Sequence, residues 1–296
     1  MTLPNFLIIG VQKAGTTSIY NYLNEHPQIY MSPVKETNFF ETEWDKESAE
    51  SNNKPCKTIK DIDTYSKLFD GVKDEIAIGE ASPNYLFHYQ ASAKAIQRYV
   101  PDAKLIAILR NPTERAYSDY LMHIRDAIET PEPLSEIIAN RAGSAYFFRK
   151  GFYYEQIKHF FDLFGEQKVK VYLYDDLCKD PQALMQDMYS FLGVDDSFVP
   201  NTSKKAQKAQ VPKNQGVNNL LKTQNPLRTM VASTLKVFLP LEVRQKLREG
   251  IINLNSQGKK ALPLQVEDRV KMVEMFREDV LKLQDLLQKD LSAWLG

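Results

Sequence analysis

Cysteine is almost missing from this chain: two in 296 residues, Cys56 and Cys178, far apart and in no CxxC spacing. That excludes a disulfide framework and a cysteine-built zinc site, and reduced, metal-free chemistry is expected. Charge of one sign is not in excess either. Thirty-eight Lys and Arg stand against thirty-eight Asp and Glu, for a formal net charge of zero. No global field draws the chain to nucleic acid or to an anionic membrane, so any anion site must be built locally. Long hydrophobic runs are absent. No segment approaches the roughly 18 apolar residues of a membrane span, and the N-terminus lacks the basic and apolar regions of a signal peptide. A cytoplasmic protein, or a soluble piece of something longer, is expected. No internal repeat or low-complexity tract stands out.

What is present is ordinary for a folded chain: 43% hydrophobic and 26% charged residues. A chain of this length hides about 75% of its unfolded surface. One domain is expected over 1–296, with an α/β core over 1–220 and a helical C-terminal extension over 221–296. Strand-like and helix-period segments alternate through the first two-thirds, which argues for a parallel sheet with helices on both faces. Phe6-Leu7-Ile8-Ile9 ends in Gly10 as a buried parallel strand should. Ile76–Gly79, Leu105–Leu109 and Val169–Tyr174 read as further strands. Asn111-Pro112-Thr113-Glu114 opens a helix, with a cap residue, a proline at the first position and an acid at the third. Asp180-Pro181 opens another, which Gly193 closes. Tyr153, Ile157, Phe160, Phe161 and Phe164 fall at helical spacing and predict core packing. Val266, Val270, Val273, Phe276, Val280, Leu283, Leu287 and Leu291 form an apolar stripe before Trp294. That stripe is expected to dock on its own domain, a second chain being the alternative. Two polar stretches, 41–75 and 201–219, break the rhythm and read as solvated loops or as insertions beside a site.

After the first strand comes Gly10-Val11-Gln12-Lys13-Ala14-Gly15-Thr16-Thr17-Ser18, followed by Ile19, Tyr20 and Leu23 at helical spacing. A strand, a glycine-bearing turn and a helix start aim several backbone N–H groups at one point, where the helix dipole also favours negative charge. Gly10 and Gly15 have the spacing of a Walker loop, yet Thr16 stands where an NTPase has its phosphate lysine; the lysine comes three residues earlier, at Lys13. A lysine on the loop itself is placed to straddle one phosphate and whatever leaves from it.

These residues carry a resemblance to the sulfotransferases that use 3′-phosphoadenosine 5′-phosphosulfate (PAPS), and in particular to their glycan-type branch. Gln12 through Ser18 resembles their 5′-phosphosulfate loop, which implies donor contacts from Lys13, Ala14, Gly15, Thr16, Thr17 and Ser18. Leu109-Arg110-Asn111-Pro112 through Arg115-Ala116-Tyr117-Ser118 resembles their 3′-phosphate motif, implying that role for Arg110 and Ser118. An arginine can grip phosphate through two parallel N–H bonds, which lysine cannot. Gly79 through Leu86, Gly151-Phe152-Tyr153, Tyr174–Leu177 and Phe191–Val194 resemble later parts of the family, so the likeness covers roughly residues 5 to 215. Val211-Pro212-Lys213-Asn214 is the candidate for the family's basic closing loop, with Lys213 as its cation. The fold implied is a three-layer, P-loop-like α/β domain around a parallel sheet.

Sulfuryl transfer to a hydroxyl requires in-line geometry, stabilisation of the departing phosphate and removal of the acceptor proton. No metal is required. Lys13 is the candidate for the first charge. For the proton, Lys35-Glu36-Thr37-Asn38-Phe39-Phe40 resembles the segment whose glutamate is the base in the glycan-type enzymes, which implies Glu36; His123 is the rival. One mismatch stands out. The glycan-type enzymes often carry a lysine where this chain has Ala81, so either another cation substitutes or the acceptor differs, and the missing secretory signal favours the second. The resemblance leaves open a carbohydrate, lipid, small-molecule or carrier-bound acyl hydroxyl as acceptor, and assembly through the C-terminal helix. The competing readings are a P-loop kinase or NTPase and a nucleotide-binding module without catalysis.

Overall fold

Five short strands lie side by side in the order β2-β3-β1-β4-β5, every neighbouring pair parallel. They are β1 (Phe6–Gly10), β2 (Ile29–Met31), β3 (Ala77–Ala81), β4 (Lys104–Leu109) and β5 (Val169–Leu173). The computed structural model describes residues 1–42, 59, 61–126, 132–202 and 263–296. The helices among them are α1 (Thr16–Asn24), α2 (Phe39–Thr42), α3 (Ile62–Ser66), α4 (Tyr89–Tyr99), α5 (Pro112–Asp126) and α6 (Leu134–Arg141). They continue with α7 (Tyr146–Arg149), α8 (Tyr154–Phe164), α9 (Tyr174–Lys179), α10 (Pro181–Leu192) and α11 (Val266–Leu287). The chain divides into two units. The first comprises Met1–Arg115, Lys150–Ala206 and Val273–Gly296, the second Ala116–Arg149 and Gln207–Met272. The whole sheet belongs to the first.

Burial explains why the strands are runs and not alternations. Phe6 through Ile9 and Leu105 through Leu109 are all fully buried, as strands covered on both faces must be. The helix starts follow the local chemistry. Asn111 Oδ1 accepts from the Thr113 and Glu114 N–H groups at 3.0 and 3.3 Å, ahead of Pro112. Asp180 Oδ1 accepts from the Ala183 N–H at 3.0 Å, and Gly193, at φ 82°, ends α10 in the left-handed conformation. The α8 stripe packs as expected: Tyr153, Ile157 and Phe160 are buried.

Three expectations shift. Ile76 is exposed and the strand runs from Ala77 through Ala81, one notch later than its apolar residues indicate. Tyr174 does not end β5; it opens α9. The three-residue strand β2 carries too little pattern to have been predicted. In α11, Val273, Phe276, Val280 and Leu283 are buried in the first unit, with the Phe276 ring 5.0 Å from that of Phe152. Val266 and Val270, the first two members of the stripe, are exposed and lie among the residues of the second unit. Asp279 of α11 accepts from the Tyr153 and Tyr154 N–H groups at 2.7 and 3.2 Å, satisfying the start of α8. Among the described residues no helix is long and apolar enough to cross a membrane.

The strand order sets where a ligand can sit. From β1 the chain moves outward to β2 and returns through β3; it then crosses to β4 and moves outward the other way to β5. The loops after β1 and β4 leave adjacent strands toward opposite sides. Open parallel sheets bind ligands in the crevice at the carboxyl ends of such strands.

Candidate active site

The loop after β1 is shaped by close approach. Gly15 caps α1 at φ 83°, and a Cβ there would stand 2.7 Å from Leu177 Cδ2 and 3.1 Å from Tyr174 Cε2. Gly10 is as tight, with a Cβ landing 2.5 Å from that of Leu86. Both positions need glycine, one for its backbone conformation and both for room. Lys13 lies between them at φ 75°, left-handed without being glycine. Such a residue costs on the order of 1–3 kcal/mol and persists only where the surroundings enforce it. The first turn of α1 holds no carboxylate and no side-chain cap, and while the Ser18 N–H turns back to the Gly15 carbonyl at 2.9 Å, the Thr16 and Thr17 N–H groups face the position an anion would take. Thr16 is buried at this turn and Thr17 is exposed.

The loop after β4 meets this one directly. Arg110 follows β4, and its Nη1 donates to the Lys13 carbonyl at 3.0 Å. Its guanidinium lies over the Tyr174 ring, 4.8 Å from the centroid, and its own carbonyl accepts from the Tyr153 hydroxyl at 2.9 Å. Burial, with Asp279 adding to it, pushes the Tyr153 phenol far up; the Arg115 and Arg110 charges oppose that shift. Tyr153 is therefore a fixed donor, and Arg110 is clamped on backbone, ring and neighbour alike.

Glu36 follows β2 at the same edge. It too is left-handed, at φ 61°, and its N–H donates to the Ala81 carbonyl at 2.9 Å, at the end of β3. Its carboxylate accepts from Lys35 Nζ at 2.7 Å and remains about one-third exposed. Behind it lies a network that the sequence did not announce. Glu80 is fully buried, and its carboxylate accepts from Thr37 Oγ1 at 2.6 Å, Tyr85 Oη at 2.6 Å and Ser82 Oγ at 3.2 Å. Desolvation raises the Glu80 pKa, and these hydroxyls pull against that rise. The same groups hold the following turn: the Asn38 N–H donates to Ser82 Oγ at 3.1 Å and the Phe39 N–H to Thr37 Oγ1 at 3.3 Å. Glu36 is thus tethered to the end of β3 through its own backbone and through the side chain after it.

The structure brings Lys13 and Arg110 together and sets Glu36 on the same edge of the sheet. Ala14, Gly15, Thr16, Thr17 and Ser18 occupy the loop and the start of α1 as expected. Ser118 and His123 fall in the part of α5 that belongs to the second unit. There His123 Nε2 is 3.9 Å from Asp119 Oδ1, with its ring 6.0 Å from that of Phe147. Lys213 lies outside the described residues. Sequence reasoning missed Glu80, Tyr85, Tyr174 and Lys150 as parts of the site. Glu80, Tyr85 and Tyr174 lay inside segments that resemble the family but were given no role there, and Lys150 lay just outside the Gly151-Phe152-Tyr153 motif. Among the described residues no group of three or more His, Cys, Asp and Glu side chains converges as metal ligands would.

A parallel α/β sheet with two cation-bearing loops at its switch point is an arrangement suited to phosphate groups. Residues 3–252 match the family model described as the sulfotransferase domain, and the chain belongs to that family. A sulfotransferase from Alicyclobacillus acidocaldarius superposes with a TM-score of 0.71 at 30% identity, covering 100% of both chains. The expected P-loop-like α/β fold is therefore this chain's fold. The human bifunctional heparan sulfate N-deacetylase/N-sulfotransferase 3 is 28% identical over 99% of this chain, and human heparan sulfate glucosamine 3-O-sulfotransferase 3B1 is 27% identical over 65% of it. The chain spans 31% of the length of the first and 46% of the second.

Proposed function

We propose that this sulfotransferase takes its sulfuryl group from PAPS and passes it to a carbohydrate hydroxyl, leaving 3′-phosphoadenosine 5′-phosphate (PAP). The observation that carries the reading is the 3.0 Å bond from Arg110 to the Lys13 carbonyl. It joins two cationic loops into one site fit for a ligand with two separate phosphates. The donor supplies a sulfuryl group joined to its 5′-phosphate through one bridging oxygen. Lys13, the loop N–H groups and the Thr16 and Thr17 hydroxyls stabilise the charge left on that phosphate. Arg110 holds the 3′-phosphate. Glu36 removes the acceptor proton, with His123 as the rival base.

A carbohydrate acceptor draws support from relatives whose names specify heparan sulfate. A hydroxyl rather than an amine is favoured by the 3-O-sulfotransferase among them and by a carboxylate as base. The kinase reading loses its footing at Thr16, which stands where the phosphate lysine of an NTPase would be. A reducing compartment suits a chain with two cysteines, of which Cys178 is free, and the cytoplasm is the proposed location.

Thermal unfolding with added nucleotide tests the reading. PAP without magnesium is expected to raise the melting temperature by several degrees at saturating concentration, because ligand binding to the folded state stabilises it by mass action. ATP with magnesium is expected to give little or nothing. A response to ATP-magnesium alone overturns the reading.

A further inference from the structure

Lys150 belongs to none of the roles assigned above, yet it is built into the same site. Its Nζ donates to Gln12 Oε1 at 2.8 Å. Gln12 is bonded to Lys13, whose carbonyl accepts from Arg110 Nη1 at 3.0 Å. Arg110 in turn offers its carbonyl to the Tyr153 hydroxyl at 2.9 Å. Tyr153 lies three residues after Lys150, which closes a circuit through Gln12, Lys13, Arg110 and Tyr153 back to Lys150. The circuit is anchored from outside, since the Tyr153 N–H donates to Asp279 Oδ2 at 2.7 Å. The ammonium of Lys150 also lies 5.9 Å from the centroid of the Phe87 ring, in the turn after β3. A lysine stem is costly to immobilise, roughly 1.5–2 kcal/mol in rotamer freedom. This one is held by an amide, a ring and an anchored backbone.

Accepting the PAPS reading, on which this step rests, we infer that Lys150 is a second catalytic cation whose ammonium acts on the oxygens of the sulfuryl group. Each phosphate already has a cation in that reading, Lys13 at one and Arg110 at the other. The sulfuryl oxygens carry negative charge of their own and have no partner among those residues. The end of β3 supplies none, because position 81 is a buried alanine. Lys150 Nζ reaches the side chain of Gln12, the residue before Lys13, on the loop that the PAPS reading assigns to the 5′ end of the donor. In the step, the acceptor oxygen forms a bond to sulfur while the bond from sulfur to the bridging oxygen breaks, its electron pair staying with the 5′-phosphate. The acceptor proton goes to the base. Lys150 binds no proton and releases none in this scheme; it fixes and neutralises the group in transit.

The test compares two nucleotides that differ by that group. Binding of PAPS and of PAP is measured calorimetrically without acceptor, for the unaltered protein, Lys150→Met and Lys150→Arg. Loss of a charge-assisted hydrogen bond predicts that Lys150→Met weakens PAPS binding by about tenfold or more. PAP binding is expected to stay within about twofold, which also reports an intact fold. Lys150→Arg is expected to retain the preference for PAPS. Equal weakening of both nucleotides by Lys150→Met, or no change in either, overturns the inference, since a residue that merely braces Gln12 cannot distinguish them. Failure of the unaltered protein to bind either nucleotide overturns the PAPS reading, a separate result.

Discussion

Two stretches at one edge of the sheet each hold a non-glycine residue in the left-handed region, Lys13 at φ 75° and Glu36 at φ 61°, and opposite means keep them there. The loop carrying Lys13 is held by backbone and by close fit. The Val11 N–H donates to the Ile108 carbonyl at 2.9 Å, the Ala14 N–H returns to the Val11 carbonyl at 3.3 Å, and two glycines admit neighbouring side chains. The segment carrying Glu36 is held mainly by side chains, through Thr37, Ser82 and Tyr85 gathered on one buried carboxylate. A phosphate ligand can be met by repeated main-chain N–H groups, so a short local motif suffices. A general base, the role proposed for Glu36, must be aimed at one proton, and the segment that carries it is held from a strand more than forty residues away in sequence.

The sharpest way to separate the two regions is to remove one functional group from each. Lys13→Ala is expected to lower the transfer rate by roughly 10²–10³ and to weaken PAP binding as well. Glu36→Gln is expected to lower transfer comparably while leaving PAP affinity within about twofold. Steady-state kinetics with labelled PAPS, paired with calorimetry, gives both readouts; a large loss of PAP affinity in Glu36→Gln would erase the division.

Glu80→Ala attacks the support and not the functional group. It leaves three buried hydroxyls without their acceptor, and a cost of about 3 kcal/mol in unfolding free energy is expected. Denaturant titration measures it, and a cost under about 1 kcal/mol would mean that the segment is held in some other way.

The smallest effect concerns the anchor of Tyr153. Burial raises the Asp279 carboxyl from 3.8 to about 6, against the two N–H bonds that lower it. A carboxyl raised in the folded state contributes stability that is complete below the unfolded pKa, near 4, and is lost as the pH climbs through about 6. The loss is on the order of 2–3 kcal/mol. Asp279→Asn removes that titration, so its stability relative to the unaltered protein should rise between pH 4 and pH 6 and then level off. A flat difference across that range would assign the pH dependence to other groups.

Much of the first region was legible in the chain itself. Phe6–Ile9 and Leu105–Leu109 announced central strands because burial on both faces demands unbroken apolar runs. Asn111-Pro112 and Asp180-Pro181 announced helix starts because capping is local chemistry. The second region was much less so. Glu36 was named through a resemblance, whereas the hydroxyls that hold its segment are ordinary residues until the fold gathers them around Glu80. A glutamate in a sequence looks solvated; only register with β1, Leu7 opposite Glu80, places it inside the sheet. Lys150 was hidden for a similar reason, since its partner Gln12 lies 138 residues away. Tyr174 misled by its β-forming side chain, because continuing the strand was outweighed by the turn into α9.

That tyrosine has one more consequence. A single flat ring stands against Gly15 on the first loop and beneath Arg110 on the second. The gap between the two anion grips is accordingly gauged by a stiff aromatic plate, much as a shim sets the jaws of a caliper. A leucine at position 174 would leave both loops in place without the ring that lies between Gly15 and Arg110.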